Sequence, residues 1–345
     1  MGLFEMKDII VKYEELGSLG SGNFGSVFKA HNKIVDRIEA VKIVHDISKL
    51  GDKANLEARV QHKLEHTNVS EIYDAFIKND KLYILMEYLQ GGSIFKLIED
   101  NGKLPIKQSI RIIIDALHGL QYIHNQNYIH RDIKPSNLLL DKSGNAKLSD
   151  FGLTAELDDS GKYTSSFGYV YHKAPEVLTK GEYTKKADIF AIGLTLYRMV
   201  NGDGFISMFD RSTLGYNIVS GDFPPRDLYS PDVPKKLRMI INKSLEIDPE
   251  KRYQNAHSIR SELNNINIPI DWQLSINTSR KQVWEGNDST SNYSIEVNKN
   301  LFGNSYNIKT KKGKNNLRVV NKHCFEGLSS KQLNKELHKL LTIKL

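Results

Sequence analysis

The property that most limits what this chain can fold into is a change of hydrophobic period near residue 90. Between residues 13 and 45 apolar and polar side chains alternate around a glycine-rich centre, as in Ser26-Val27-Phe28-Lys29-Ala30 and Glu39-Ala40-Val41-Lys42-Ile43. A period of two places successive side chains on opposite faces of a pleated strand, so this stretch predicts hairpin strands. A helix over about 54–64 follows, then strands around 72–77 and 82–87, with Gly91-Gly92 as a turn. Beyond it Ile110, Ile113, Ile114, Leu117 and Leu120 recur at the spacing of one helix face. Residues 187–200, 235–245 and 256–266 continue in helical style, with Asp222-Phe223-Pro224-Pro225 as a turn between them. A β-rich lobe followed by an α-rich lobe is an α+β fold, and a ligand is expected in the cleft between them.

At 345 residues, 39% of them hydrophobic, the chain can bury one large domain and a small one. No apolar run approaches the ~20 residues needed to cross a bilayer, and the opening MGLFEM carries neither a secretory signal nor a myristoylation pattern. The single cysteine, Cys324, cannot close an internal disulfide, and no Cys/His cluster has zinc-site spacing. A cytoplasmic address is expected. Residues 271–345 hold 13 Lys and Arg against 6 Asp and Glu, which equals the +7 of the whole chain, so residues 1–270 are balanced. Trp272, Trp284 and Cys324 also fall there, which predicts a second unit beginning near Pro269.

Leu19-Gly20-Ser21-Gly22-Asn23-Phe24-Gly25-Ser26-Val27 has the form G-x-G-x-x-G-x-V. Without Cβ atoms, such a turn can press backbone N–H groups against phosphate oxygens. An ordinary glycine hairpin has the same look, whereas a dinucleotide fold would continue into a helix rather than a second strand. Seventeen residues past Gly25, Lys42 closes the apolar strand Ala40-Val41-Lys42. A lysine there is costly unless it meets an anion or reaches water along its stem, and Glu57 on the next helix is the candidate partner. Downstream stand His130-Arg131-Asp132-Ile133-Lys134-Pro135-Ser136-Asn137, then Asp150-Phe151-Gly152, then Ala174-Pro175-Glu176. In this order and spacing the chain closely resembles the eukaryotic-type (Hanks-type) serine/threonine protein kinase family over about residues 13 to 266.

That resemblance implies a two-lobed kinase fold, with an N-lobe of about residues 1–89 and a C-lobe of about 90–268; the composition and patterning of the tail predict a linker at 269–280 and a small basic β-sheet-plus-helix domain at 281–345. It implies ATP and Mg²⁺ as cofactors, with Mn²⁺ as a possible substitute, and protein substrates. Phosphoryl transfer spreads negative charge over oxygens, so it needs cations, aligned donors and a placed hydroxyl. On the family pattern Lys42, held by Glu57, grips the α- and β-phosphates, while Asn137 and Asp150 hold the metal. Asp132 positions the substrate hydroxyl and takes its proton late, and Lys134 contacts the γ-phosphate. The phosphate loop is Gly20, Gly22 and Gly25. Adenine is expected between Leu19, Val27 and Ala40 above and Leu139 below, with Met86 behind and the backbones of Glu87 and Leu89 as hinge contacts. Glu176 is expected to pair with Arg252, and Asp188 to hold the backbone near His130.

Arg131 precedes the catalytic aspartate, and kinases with that arginine commonly pair it with a phosphate on the loop before Gly168. Ser165 is the first candidate, with Thr164 and Ser166 beside it; the alternative is a solvated loop whose hydroxyls terminate turns. The family usually has Thr where Tyr169 stands and Tyr where His172 stands, which puts peptide specificity in question. After Pro269, segments around Tyr293-Ile295-Val297, Tyr306-Ile308 and Leu317-Val319 predict three or four strands, followed by a helix opened by Ser329-Ser330-Lys331-Gln332 that buries Leu333, Leu337, Leu340 and Leu341. Lysines 299, 309, 311, 312, 314 and 322 with Arg318 suggest an anionic partner, nucleic acid or an acidic protein; a soluble lysine-rich surface is the duller reading. The competing functions are a catalytically weak kinase-shaped scaffold and a nucleic-acid-binding regulator.

Overall fold

A computed structural model describes residues 12–22, 25–45, 64–165, 170–301 and 304–345. Strands β1 (Tyr13–Gly22), β2 (Gly25–Asn32), β3 (Arg37–Val44), β4 (Ile72–Lys78) and β5 (Lys81–Glu87) form an antiparallel sheet in the order β1-β2-β3-β5-β4. Its register sets Val27, Lys42 and Ile84 side by side, and Lys29, Ala40 and Met86 in the next row. Alternation then sends Phe28, Val41, Ile43, Tyr83 and Leu85 to the other face, where they pack as a small core. Gly25 is required where β2 begins: a Cβ there would lie 2.0 Å from the Ile43 carbonyl oxygen, and its φ is +131°. The helix expected over 54–64 falls outside the described residues except for Leu64, which is buried.

The second lobe is helical. Its elements in order are β6 (Gly92–Ser93), α1 (Ile94–Asn101), α2 (Ile106–Asn125), β7 (Tyr128–Ile129), β8 (Leu138–Leu140), β9 (Ala146–Leu148), β10 (Ala155–Glu156), β11 (Tyr163–Thr164), α3 (Pro175–Lys180), β12 (Glu182–Tyr183), α4 (Lys185–Asn201), α5 (Leu214–Ser220), α6 (Lys235–Ser244) and α7 (Ala256–Asn264). The short strands pair as β6-β8-β9, β7-β10 and β11-β12. Helix α4 opens on Thr184, whose hydroxyl accepts from the Lys186 amide, and every residue from Ala187 to Val200 is buried. Burial all round marks a central helix, and α2 and α6 pack against it. The lobes join where Ser70 N–H donates to Leu148 O and Leu148 N–H donates to Asn68 O.

The C-terminal unit is a sheet of six strands: β13 (Asp271–Asn277), β14 (Lys281–Asn287), β15 (Asn292–Lys299), β16 (Tyr306–Gly313) and β17 (Arg318–Val319) in order, with β18 (Phe325–Leu328) beside β17 on the free edge of β16. Helix α8 (Ser330–Thr342) opens with the expected capping box between Ser329 and Gln332. It buries Leu333, Leu337, Leu340 and Leu341 against Trp272, Trp284, Tyr293, Ile295, Val297 and Ile308. Burial of each leucine contributes about 1.5–3 kcal/mol of transfer free energy.

Two expectations are corrected here. Residues 269–280 are not a plain linker, because Asp271–Asn277 is a full strand paired to β14. Its alternating Trp272, Leu274 and Ile276 pair across from Gly286, Trp284 and Val283, and Trp272 is buried. The unit also sits directly on the helical lobe. Asp271 accepts the Lys107 amide in the first turn of α2, whose N-cap position is Pro105, which has no capping side chain. Lys103 pairs with buried Asp232 at 2.5 Å and lies 5.0 Å from the Trp284 ring centroid, while His338 Nδ1 donates to Pro231 O at 2.7 Å.

Nor do the lysines form one basic face. Lys311 pairs with Glu296, with Lys281 and Lys309 near the same carboxylate, whereas Lys312 turns inward to Leu345 O and the Tyr293 ring. The nucleic-acid partner therefore finds no support in these contacts.

Candidate active site

The chain leaves β7 through His130-Arg131-Asp132, and this turn is built around one buried carboxylate. Asp188, near the start of α4, accepts the backbone N–H groups of His130 and Arg131 and the His124 imidazole, at 2.8–2.9 Å. Burial alone would raise the Asp188 pKa, but His124 and these hydrogen bonds hold it below the usual carboxylate range. Anchored so, Arg131 adopts a left-handed backbone with φ +68°, and Asp150 across the site has φ +62°. Non-glycine residues seldom sit there, and such strain concentrates at functional sites.

Asp132 is buried, with 3% of its side chain exposed. Its Oδ2 accepts from Lys134 Nζ at 2.7 Å and from Asn137 Nδ2 at 2.8 Å, while Oδ1 has no hydrogen-bond partner among the described residues. Burial pushes its pKa up, opposed by the Lys134 cation and aided by the Asp150 charge. Asn137 also donates to Asp132 O, and its own carbonyl receives Ser149 N–H and Oγ–H, so this loop is tied to the strand that delivers Asp150.

Lys42 reaches across the cleft: its Nζ donates to Asp150 Oδ1 at 2.8 Å from 108 positions away in sequence. Burial would raise the Asp150 pKa, but the Lys42 charge and hydrogen bond win and hold it low. Phe151 behind it is buried, 4.8 Å from the His130 ring centroid. His130 itself is kept neutral by burial.

The other expected residues stand as follows. Ala40 and Leu89 are buried, Val27, Met86 and Leu139 half-buried, and Leu19 half-exposed. Gly20 and Gly22 end β1 and Gly25 opens β2, so the phosphate-loop glycines straddle the β1–β2 turn, whose residues 23–24 lie outside the described set. Glu57 and Ser166 also lie outside it, as does Tyr169. The Glu87 N–H donates to Glu71 O, so of the two hinge residues Leu89 is the better donor for a base. Thr164 is exposed in β11, and Ser165 N–H donates to Gly181 O.

The expected support pair is present: Arg252 Nη1 and Nη2 each donate to a Glu176 carboxylate oxygen at 2.7 Å, with Arg252 fully enclosed. His172, the departure from the family pattern, is buried and accepts through Nε2 from Arg198 Nη1 at 2.9 Å; Arg198 in turn pairs with Asp203. Because guanidinium only donates, that nitrogen carries no proton. Burial and the Arg198 and Lys134 cations hold the His172 pKa well below its ordinary value.

Two contacts escaped sequence reasoning. Lys147 in β9 pairs with the Glu87 side chain at 2.6 Å, joining the second lobe to the hinge. Its signal was a lysine between Ala146 and Leu148 in a strand. The guanidinium of Arg131 lies 4.4 Å from each of the ring centroids of Tyr163 and Tyr183.

Among the described residues no group of three or more His, Cys, Asp or Glu could hold a metal by itself. Asp150 and the Asn137 side-chain carbonyl are hard oxygen donors beside Asp132, whose pKa the Asp150 charge raises. Two protein oxygens, with phosphate and water completing the shell, suit Mg²⁺, which keeps several waters and rarely takes an all-protein cage. The residues present therefore fit the metal.

The model of the protein kinase domain family matches residues 13–263. The chain belongs to this family. The kinase is 30% identical over 263 residues to Serine/threonine-protein kinase PrkC of Bacillus subtilis, covering 74% of this chain and 41% of the relative. It is 32% identical over 268 residues to Probable serine/threonine-protein kinase CPE1738 of Clostridium perfringens, covering 74% and 38%, respectively. To Serine/threonine-protein kinase sid1 of Schizosaccharomyces pombe it is 35% identical over 248 residues, covering 70% and 51%. These matches span about half or less of the relatives' own length, so the likeness concerns the kinase domain.

Proposed function

We propose that the protein transfers the γ-phosphoryl group of ATP to serine and threonine hydroxyls of proteins, its own loop included, with Mg²⁺ or Mn²⁺ as the cation. The observation that carries this is a pair of contact sets, Lys42 on Asp150 at 2.8 Å across the two lobes and Lys134 and Asn137 on Asp132 at 2.7–2.8 Å, tied together by Ser149, which precedes Asp150 and donates to Asn137 O.

Leu89 donates to the adenine, which lies between Leu19, Val27, Ala40 and Leu139. Lys42, steadied by Glu57, grips the α- and β-phosphates, and Lys134 faces the γ-phosphate. A divalent cation on Asp150 and Asn137 would neutralise charge on the phosphate oxygens. The substrate hydroxyl oxygen forms a bond to the γ-phosphorus as the bond to the β–γ bridging oxygen breaks and ADP leaves. Asp132 orients that hydroxyl through Oδ1, the carboxylate oxygen without a partner among the described residues, and accepts the proton late in the step. Lys134 beside Asp132 favours Ser/Thr acceptors, and Thr164, Ser165 and Ser166 are the candidate acceptors within the chain. Among the described residues no helix is long and apolar enough to cross a membrane. A cytoplasmic address is part of the same proposal.

Purified protein with Mg-ATP is expected to incorporate phosphate on serine and threonine. Asp132→Asn should lower kcat by about 10²–10⁴-fold with a much smaller change in the KM for ATP, because the nucleotide is held by other groups. Label on tyrosine alone, or full turnover in Asp132→Asn, refutes the assignment.

A further inference from the structure

Arg131 stands one residue before Asp132, and three parts of the fold meet on it. Its backbone N–H donates to Asp188, its Nη1 donates to Leu153 O at 2.8 Å just past Asp150-Phe151-Gly152, and its guanidinium carbon lies 4.4 Å from the ring centroids of both Tyr163 and Tyr183. The two tyrosines are direct partners across the β11–β12 pair, so their side chains project from one face of it. That pair is closed by Thr164 opposite Glu182, by the Lys162–Glu182 contact at 3.0 Å and by Ser165 N–H on Gly181 O. The cation is thus already engaged by groups inside the chain, all of them uncharged. Two aromatic faces attract a partly desolvated guanidinium without a counter-anion.

We propose that Tyr163 and Tyr183 are positioning residues that hold Arg131, and through it the Asp132 loop and the segment after Asp150, so that turnover does not require a phosphate on the activation loop. This rests on the kinase reading and specifies how the same site is regulated. Loop phosphorylation then modulates an enzyme that is already competent. Nε and Nη2 of Arg131 are enclosed, so a loop phosphate reaches the guanidinium only by displacing groups around it.

The test compares variants of the full-length chain in phosphate transfer to a generic protein substrate, with thermal unfolding as a check on folding. Thr164→Ala/Ser165→Ala/Ser166→Ala is expected to keep at least about a third of the wild-type kcat. Tyr163→Leu/Tyr183→Leu should lower kcat about tenfold or more, the range expected for two such contacts, with the KM for ATP within about twofold. Tyr163→Phe/Tyr183→Phe, which keeps both ring faces, should restore it. In an Arg131→Ala background the leucine pair should have no further effect, a non-additivity that a merely structural role for the rings would not give. Hydrogen exchange at the Ser165 amide should quicken in the leucine pair and not in the phenylalanine pair.

An inactive alanine triple, a leucine pair with wild-type kcat, or an undiminished leucine effect without Arg131 overturns the clamp. Should the leucine pair not fold, the alanine triple still decides. A wild type without any turnover refutes the kinase reading instead, and the exchange measurement then judges the clamp alone: unchanged exchange refutes it.

Discussion

His172 shows how one side chain sets a response to acid. Burial and the Arg198 and Lys134 charges keep its imidazole neutral in the folded protein, whereas in the unfolded chain it titrates at its ordinary value of about 6.5. A folded pKa below the unfolded one means that the unfolded chain binds more protons as pH falls through that range. The stability this group contributes is therefore present above pH ~6.5 and is lost progressively below it. Buried His130 acts in the same direction. The melting temperature is expected to fall between pH 7 and pH 5, and to fall less in His172→Gln, whose amide oxygen can still accept from Arg198. Thermal unfolding at the two pH values checks this; an equal fall in both proteins counts against it. The Glu176–Arg252 pair supplies a second case. Removing one partner strands an enclosed charge, so Glu176→Ala should destabilise by about 3–5 kcal/mol in chemical unfolding. Both members of that pair were legible in the sequence, as were Asp132, Asn137 and Asp150, because the family pattern fixes those side chains in that order. The Arg131 rings were not, since nothing local marks Tyr163 and Tyr183 as neighbours of a residue 32 and 52 positions back.

Among the elements, legibility followed how strongly each pattern was repeated. Helix α2 and the run from β2 to β3 carry long, uniform periods, and both lie where the sequence puts them. Strand β13 was hidden because Pro269 just before it reads as a boundary, although Trp272, Leu274 and Ile276 alternate as a strand requires. Helix α2 raises a related point. Its N-cap position is proline, and the cap comes from Asp271 in another part of the chain. Asp271→Ala should accordingly cost about 1 kcal/mol, the usual value of a capping side chain. Urea unfolding would measure it, and a change within error would mean that water replaces the carboxylate at no cost.

At the scale of the whole molecule, the kinase lobes and the C-terminal sheet share a surface. Deleting residues 269–345 would uncover Lys103, Asp232 and the first turn of α2, so the truncated kinase is expected to melt at a lower temperature than the full chain. Identical melting temperatures would show that the contact contributes little. The chain's only two tryptophans both belong to that sheet, Trp272 2% and Trp284 1% exposed, with neither indole N–H bonded among the described residues. Intrinsic emission excited at the red edge should therefore be blue-shifted in the native protein, as for indoles shielded from solvent. A red shift would report loss of the C-terminal unit's seat rather than any event at the nucleotide cleft, so fluorescence and enzyme assay would follow separate parts of one polypeptide.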